Sequence, residues 1–399
     1  MLLAKALVPF VAVGAAPVAL EAQEGVDFMT TPGQEEVPEQ PDAAVVEFLS
    51  RGRRKGQAMC SLRPGLSIRE ATPADNEALL ELERSSPLDL GDAEVILDRS
   101  PDYFACLSLQ EDARVVVAEE GGRLVGVCSA AWHRAPLLGE TRALLYIQKG
   151  RVRPDFQRHR ISSLLVWALL ESWRMREVPF DSAYWLISAD NRSSLAAVQR
   201  SGVLPWPKEV HLVDLDAEPR RRAEAPAVRL KSDRVQEVVA LLNRTHAGKQ
   251  LFAPYTEERL HARLGRTPEY GWQNWWGIEG TSGRLVAVAG LLDLGRWWRI
   301  MRRSKASGEE TTTSAAGVFD FGYAEGGEQQ MVELLYHLLE VTASWGRDYL
   351  SICLDQEDGL YPFLPATARA SVVFRFLAAG IPVPSAREIG RIYLDPAYL

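Results

Sequence analysis

Residues 152–176 hold the side chains whose types and spacing most readily do chemistry. The stretch opens Val152-Arg153-Pro154, then runs through Gln157, Arg158, His159, Arg160 and Ile161 into Ser162 and Ser163. Leu165, Leu169 and Trp173 follow one turn apart, which predicts a helix over 162–176 with an apolar buried side. A helix N-terminus presents unpaired backbone donors and the positive end of the helix dipole, so the amides of 158–163 form a ready anion site. Arg153, Arg158, His159 and Arg160 concentrate positive charge there, in a chain whose formal net charge is -8. Phosphate binding is the chemistry this predicts; a solvated basic loop is the alternative. Arg160 cuts both ways. Its guanidinium is a good fork for a phosphate, yet a side chain at a turn position suited to glycine would obstruct close approach. Ser162 either stands in for a second small residue or caps the helix.

The surrounding pattern supplies elements to position that turn. Residues 66–70 read as a strand, and Thr72-Pro73-Ala74-Asp75 as a helix start, with the helix running to about Arg84. A less regular helical stretch is expected over 92–98. The apolar, β-branched run 114–119, the turn Glu120-Gly121-Gly122 and the run 124–132 predict a hairpin. Residues 142–151 and 182–188 read as further strands, and 191–201 as a short helix closed by Gly202. The resulting order, β-α-α-β-β-β-α-β-α, is that of a mixed sheet with helices packed on it.

This order and three local motifs resemble the GCN5-related N-acetyltransferase superfamily over residues 66–207. The motifs are SIREATPADNEALLEL, VRPDFQRHRISSLLVWALLE and NRSSLAAVQRSG. In the second, Val152, Pro154 and Gln157 match the family pattern, while Arg160 and Ser162 stand where the family has glycine or another small residue. In the third, Asn191 and Gly202 are eleven residues apart, as the family has them, and Val198 occupies a position usually held by tyrosine.

The resemblance implies that Gln157, Arg158, His159, Arg160, Ile161, Ser162 and Ser163, next to Val152 at the strand end, hold the pyrophosphate of acetyl-CoA. Asn191 then either orients the cosubstrate or caps its own helix. Backbone groups near Leu145, Ile147 and Lys149 would meet the pantetheine arm. Acetyl transfer needs a neutral amine, and holding an alkyl ammonium neutral near pH 7 costs about 4 kcal/mol. Glu140 and Tyr146 are the candidates to help remove that proton, against a sheet-edge position for the first and simple packing for the second. Val198 cannot protonate the leaving thiolate. Tyr184 is the candidate substitute, unless it is a core aromatic, and a solvent proton would also serve.

From Val228 the element order begins again. Helices are expected over 233–246, 257–264 and 329–345, a hairpin over 275–292, strands over 317–323 and 349–354, a helix-like segment over 372–379 and a last strand over 389–394. The predicted fold class is therefore α/β, two consecutive acetyltransferase-like domains, each a mixed twisted sheet flanked by helices. Residues 65–207 form the first and 228–399 a degenerate second, joined by a linker over 208–227, in which 211–215 could add a strand to the first domain, and preceded by a flexible leader over 1–64. Glu325 and Glu328 flank Gly326-Gly327 at the second phosphate-loop position and oppose a pyrophosphate, so the second half is expected to be structural. Residues 302–313 read as a mobile hairpin tip. Trp272, Trp275, Trp276, Trp297 and Trp298 either pack or line an acceptor pocket. The resemblance to two-domain relatives, whose C-terminal tails approach the acceptor cleft, implies the same for Tyr393 and the carboxylate of Leu399.

The acidic balance excludes a nucleic-acid partner, which needs a concentrated basic face. Arg51 to Lys55 and Arg220 to Arg222 read as solvated clusters. Four cysteines, none with a histidine at ligand spacing, predict no metal and suit a reducing, cytoplasmic setting. The apolar run 6–20 is too short to span a bilayer; it is either a signal-peptide core or the product of a mis-chosen start. The expected function is transfer of acetyl from acetyl-CoA to a small-molecule amine. The alternative is a catalytically silent acyl-CoA sensor or a protein-interaction module.

Overall fold

The computed structural model describes residues 65–89, 92–176, 178–217 and 223–398. The leader, both basic clusters at 51–55 and 220–222, and Leu399 lie outside the described residues.

Alternating apolar runs give the first half its strands: β1 (Leu66–Glu70), β4 (Asp112–Glu120), β5 (Arg123–Leu137), β6 (Glu140–Val152) and β7 (Ser182–Ser188). Its helices are α1 (Asn76–Arg84), α2 (Ile161–Met175) and α3 (Arg192–Arg200). The second half supplies β9 (Ala227–Arg229), β10 (Trp275–Glu279), β11 (Leu285–Leu292), β14 (Ala315–Tyr323) and β15 (Tyr349–Asp355). Its main helices are α4 (Val235–His246), α5 (Glu257–Arg266) and α6 (Glu328–Ser344).

Two further strands, β8 (Pro205–Asp216) and β16 (Arg369–Ala379), join the halves. They complete one 12-stranded sheet in the order β1-β4-β5-β6-β7-β16-β8-β15-β14-β11-β10-β9. The order is two-fold repetitive. In each half three antiparallel pairings lead to one parallel pair, β6 with β7 and β14 with β15. The central strands are exchanged: β16 of the second half pairs with β7, and β8 of the first half pairs with β15.

Side-chain parity then sorts the cores. Leu145, Ile147, Trp185 and Ile187 pack with Leu165, Leu169 and Trp173 of α2 on one face. Leu350 and Ile352 meet Leu334 and Leu338 of α6 in the corresponding layer of the second half. On the opposite face a single cluster runs through both halves, from Leu79 and Tyr103 to Val238, Trp275 and Phe319. Burial on this scale ties the halves into one cooperative body, since apolar area contributes roughly 25 cal/mol per Å².

Several expectations are corrected. The stretch 92–98 is not helical: Ala93, Val95 and Leu97 are buried in alternation, and the segment is strand β3 (Ala93–Asp98). Much of the expected linker over 208–227 is strand β8 in the middle of the sheet, because Val210, Leu212, Val213 and Leu215 find partners that lie far away in sequence. The helix-like segment 372–379 belongs to β16, whose Val372, Phe374 and Phe376 face the core shared by the halves. The last strand expected over 389–394 is instead a short helix, α7 (Ala386–Ile389), followed by one bridge from Ile392 to Gln250. The hairpin tip at 302–313 is anchored: β12 (Arg299–Ser304) and β13 (Glu310–Thr313) form a four-stranded sheet with β3 and β2 (Leu88–Asp89). Among the described residues no helix is long and apolar enough to cross a membrane.

Candidate functional site

The parallel pair β6 and β7 is short. Leu144, Leu145 and Tyr146 pair with Ser182, Ala183 and Tyr184, and there the pairing ends. Beyond that rung β7 follows β16 while β6 stays with β5, so the strands open into a wedge with the edge of β6 along one side. A bulge interrupts β6 within the wedge. Ser129 faces Gln148 and Val127 faces Arg151, with Lys149 between them at φ 52°. Bulges re-aim backbone groups beside functional sites.

The outer end of β6 leads directly into the predicted anion turn. Pro154–Phe156 form one 3-10 turn, and Gln157 Nε2 donates to the carbonyl of Val152 at 3.3 Å. Arg158 and Arg160 both take left-handed backbone, at φ 65° and φ 60°. Arg160 is the N-cap of α2, and its carbonyl accepts from the amides of Ser163 and Leu164. The amides of Arg158, His159, Ile161 and Ser162 donate to no backbone carbonyl among the described residues. Gln157 to Arg160 are exposed, Ser162 is half-buried, and Ile161 and Ser163 turn into the core. The arginine at the glycine position therefore preserves the glycine-like path, at a cost of roughly 1–2 kcal/mol. Ser162 is not the cap; it sits within the first turn.

The equivalent turn in the second half is different. Gly327 caps α6, its amide is bonded to Ala324, and Glu325 and Glu328 stand on either side.

Three residues were candidates for proton transfer, and the fold gathers two. Glu140 begins β6 beside the hairpin turn, 69% exposed and paired with Arg142 at 2.6 Å. Six residues of strand put it about 20 Å from the mouth of the wedge. Tyr146 and Tyr184 lie at that mouth, their rings stacked with centroids 4.9 Å apart, and Phe376 continues the stack at 5.4 Å from Tyr184. Burial drives the Tyr146 hydroxyl to a much higher pKa.

The Tyr184 hydroxyl lies 3.4 Å from Nε2 of His133, a residue the sequence did not single out. Burial pulls the His133 imidazole down to about 4, so it is uncharged at neutral pH. Both groups line a cleft of about 510 Å³ that also takes in Glu111, Phe252, Tyr393 and Asp395. The expectation for Tyr393 holds to this extent: the C-terminal tail walls the cleft. Arg263 fixes the tail by a bidentate bond to Asp395 at 2.6 and 2.8 Å, while its Nε bonds Asp320 at 3.0 Å.

Val198 is fully buried in the core under α2. Asn191 caps α3, accepting from the amide of Ser194 at 3.1 Å and from Ser193 Oγ at 3.0 Å, so its structural role is complete without a ligand. Lys149 is a second residue that deserved notice. It is 4% exposed, and burial pushes its pKa down. An ionisable side chain inside an apolar strand was the available signal in both cases. Of the tryptophans, Trp275 and Trp276 are buried in β10 and none lines the His133 cleft. Among the described residues no group of three His, Cys, Asp or Glu could hold a metal ion.

The splayed parallel pair, the bulged strand and the left-handed turn ahead of a buried helix define an acetyltransferase-type domain. Residues 76–203 match the model of the Acetyltransferase (GNAT) family. Residues 76–203 are thus a GNAT-family domain, and the whole has the mixed α/β fold of such proteins. The structure is similar to Saccharomyces cerevisiae N-myristoyltransferase with bound myristoyl-CoA, at 12% identity and a TM-score of 0.57, over 93% of this chain and 91% of that one. It is also similar to a GCN5-related N-acetyltransferase from Sphaerobacter thermophilus, at 16% identity and a TM-score of 0.52, over 81% of this chain and 98% of that one. A fungal GCN5-related glucosamine N-acetyltransferase region gives a TM-score of 0.55 at 14% identity, over 79% of this chain and 38% of that one. No curated protein matches the chain.

Proposed function

We propose that this chain is a CoA-dependent N-acyltransferase that moves an acetyl group from acetyl-CoA directly to a small-molecule amine. One observation carries the reading: the basic left-handed turn at 158–160 opens straight onto the wedge between β6 and β7. The turn and the first residues of α2 offer the amides of Arg158, His159, Ile161 and Ser162 and positive charge to a pyrophosphate, and the edge of β6 offers backbone groups to the arm that follows. The thioester then lies at the mouth of the wedge, beside Tyr184.

The acceptor nitrogen attacks the thioester carbonyl, the C–S bond breaks, and the sulfur leaves as thiolate. The nitrogen must shed a proton in the same sequence. Uncharged His133 and the Tyr184 hydroxyl are the polar pair on the acceptor side. They orient the amine through hydrogen bonds and pass its proton toward the solvent-filled cleft. Val198 has no proton to give, so the thiolate takes one from water. The stacked rings of Tyr146, Tyr184 and Phe376 fill the sheet face that a long chain would need, which favours acetyl over longer acyl groups. Glu111 and Asp395 on the cleft wall favour a cationic acceptor.

In this reading the second half is a degenerate acetyltransferase-like domain, its acidic turn unsuited to CoA, that completes the acceptor cleft. The three free, buried cysteines among the described residues suit a cytoplasmic setting. A silent acyl-CoA sensor is the second reading, favoured by Arg160 and Val198. Thermal unfolding with millimolar acetyl-CoA, followed by thiol release across a panel of small amines, separates them. A raised melting temperature with thiol release supports transfer. A raised melting temperature without release supports the sensor, and no shift refutes both.

A further inference from the structure

The two-fold repetition of the sheet allows the halves to be compared rung by rung. In the first half the third rung of the parallel pair joins Tyr146 to Tyr184, and their rings fill the sheet face. In the second half the third rung joins Gly317 to Ser351. With glycine and serine standing where the first half has two tyrosines, a mainly apolar pocket opens on this sheet face. Leu294, Trp298, Ile300 and Phe319 form its apolar wall. A Cβ on Gly317 would come within 2.8 Å of Phe319 and 2.9 Å of Leu294, so the absence of a side chain there keeps the wall as it is.

Three of the polar residues that line this cavity, Asp214, Thr313 and Ser351, are buried. Asp214 lines it at 5% exposure and accepts from Ser351 Oγ at 2.6 Å. No lysine or arginine pairs with it among the described residues; Arg369 is held by Asp216 at 2.9 Å instead. Burial raises the pKa of Asp214, outweighing the opposing hydrogen bonds from Ser351 and Ser371 and the charge of Arg369. Thr313 Oγ1, at the same cavity, is buried without a hydrogen-bond partner among the described residues. A buried hydroxyl left unsatisfied costs about 1–3 kcal/mol, which a ligand atom would recover.

We propose that the second half binds a small, mainly apolar monoamine in this cavity, its ammonium on Asp214 and its apolar body against Trp298, Ile300 and Phe319. The carboxyl supplies the counter-charge, and Thr313 supplies a hydrogen-bonding hydroxyl. This site is separate from the His133 cleft. Pro396 of the C-terminal tail walls it, while Tyr393 to Asp395 wall the other, so one tail segment lies between the two.

The test is calorimetric titration of the full chain with 2-phenylethylamine, and with 2-phenylethanol as the uncharged isostere. The expected result is saturable binding of one equivalent of the amine, with the alcohol at least about tenfold weaker. Ile300→Trp, which fills the cavity from its half-buried rim, should abolish amine binding while leaving the acetyl-CoA thermal shift unchanged. Asp214→Asn, with its fold checked by circular dichroism, should bring the amine down to the affinity of the alcohol. No saturable binding up to about 10 mM, a weak affinity by any measure, would overturn the proposal. Amine binding unaffected by Ile300→Trp, or equal affinity for amine and alcohol, would overturn it as well.

Discussion

Replacing Arg160 with glycine separates what its backbone does from what its side chain does. The backbone sits at φ 60° and ψ 17°. A residue with a Cβ loses roughly 1–2 kcal/mol in that conformation. Glycine removes this cost but widens the unfolded ensemble, which takes back about 0.4–1 kcal/mol. Arg160→Gly should therefore raise the unfolding free energy by about 0.5–1 kcal/mol, measured by urea denaturation. The guanidinium works in the opposite direction on ligand affinity. A charge-assisted hydrogen bond contributes about 1.5–3 kcal/mol, and the exposure of this turn places Arg160 at the lower end. Loss of the side chain should raise the acetyl-CoA dissociation constant about tenfold, with a smaller effect at high salt. Arg160→Ala is the control: it keeps the left-handed strain, so it should lose the affinity without gaining the stability. Unchanged or tighter binding of acetyl-CoA by Arg160→Gly would refute the reasoning, because the side chain would then be idle or obstructive.

The remaining predictions concern buried groups. Lys149 has a folded-state pKa below its unfolded value, so between the two the unfolded chain holds the extra proton and stability rises with pH. Lys149→Met should remove that rise and stabilise the fold most at the acid end of the window, seen by urea denaturation at a series of pH values; parallel curves for the two proteins would contradict it. Asp320 is fully buried and receives Tyr255 and Tyr270, each at 2.7 Å, as well as Arg263. Asp320→Asn should destabilise by about 3–5 kcal/mol, since it strands part of a buried charge network; a loss below about 1 kcal/mol would show the network to be idle. Tyr184→Phe should slow thiol release about 10–100-fold while leaving the acetyl-CoA thermal shift in place; an unchanged rate would remove Tyr184 from the proton path.

Much of the first half was legible because its signals are local. The hairpin of β4 and β5, the periodic apolar side of α2 and the basic turn ahead of it each lie within a short window. What escaped was set by distant partners. The short run 211–215 in β8 could be read as a strand, but nothing local says that β8 and β16 exchange places between halves. Val372, Phe374 and Phe376 look equally at home on a helix until β7 and β8 are placed beside them. The same limit applied at the site. The turn was identified by composition, yet whether Arg160 blocked or preserved the path depended on one backbone angle. Glu140 was near the site in sequence but lies at the far end of its strand. His133 was overlooked because its role arises only when Tyr184, from a different strand, comes within 3.4 Å.

The central claim is that acetyl-CoA is held by the turn at the head of α2 and not by its counterpart ahead of α6. Hydrogen exchange of the full chain with and without saturating acetyl-CoA tests this directly. Slowed exchange over residues 157–164, with residues 325–331 unchanged, is the predicted result. Equal exchange over 157–164 in the two conditions, or protection confined to 325–331, would contradict it.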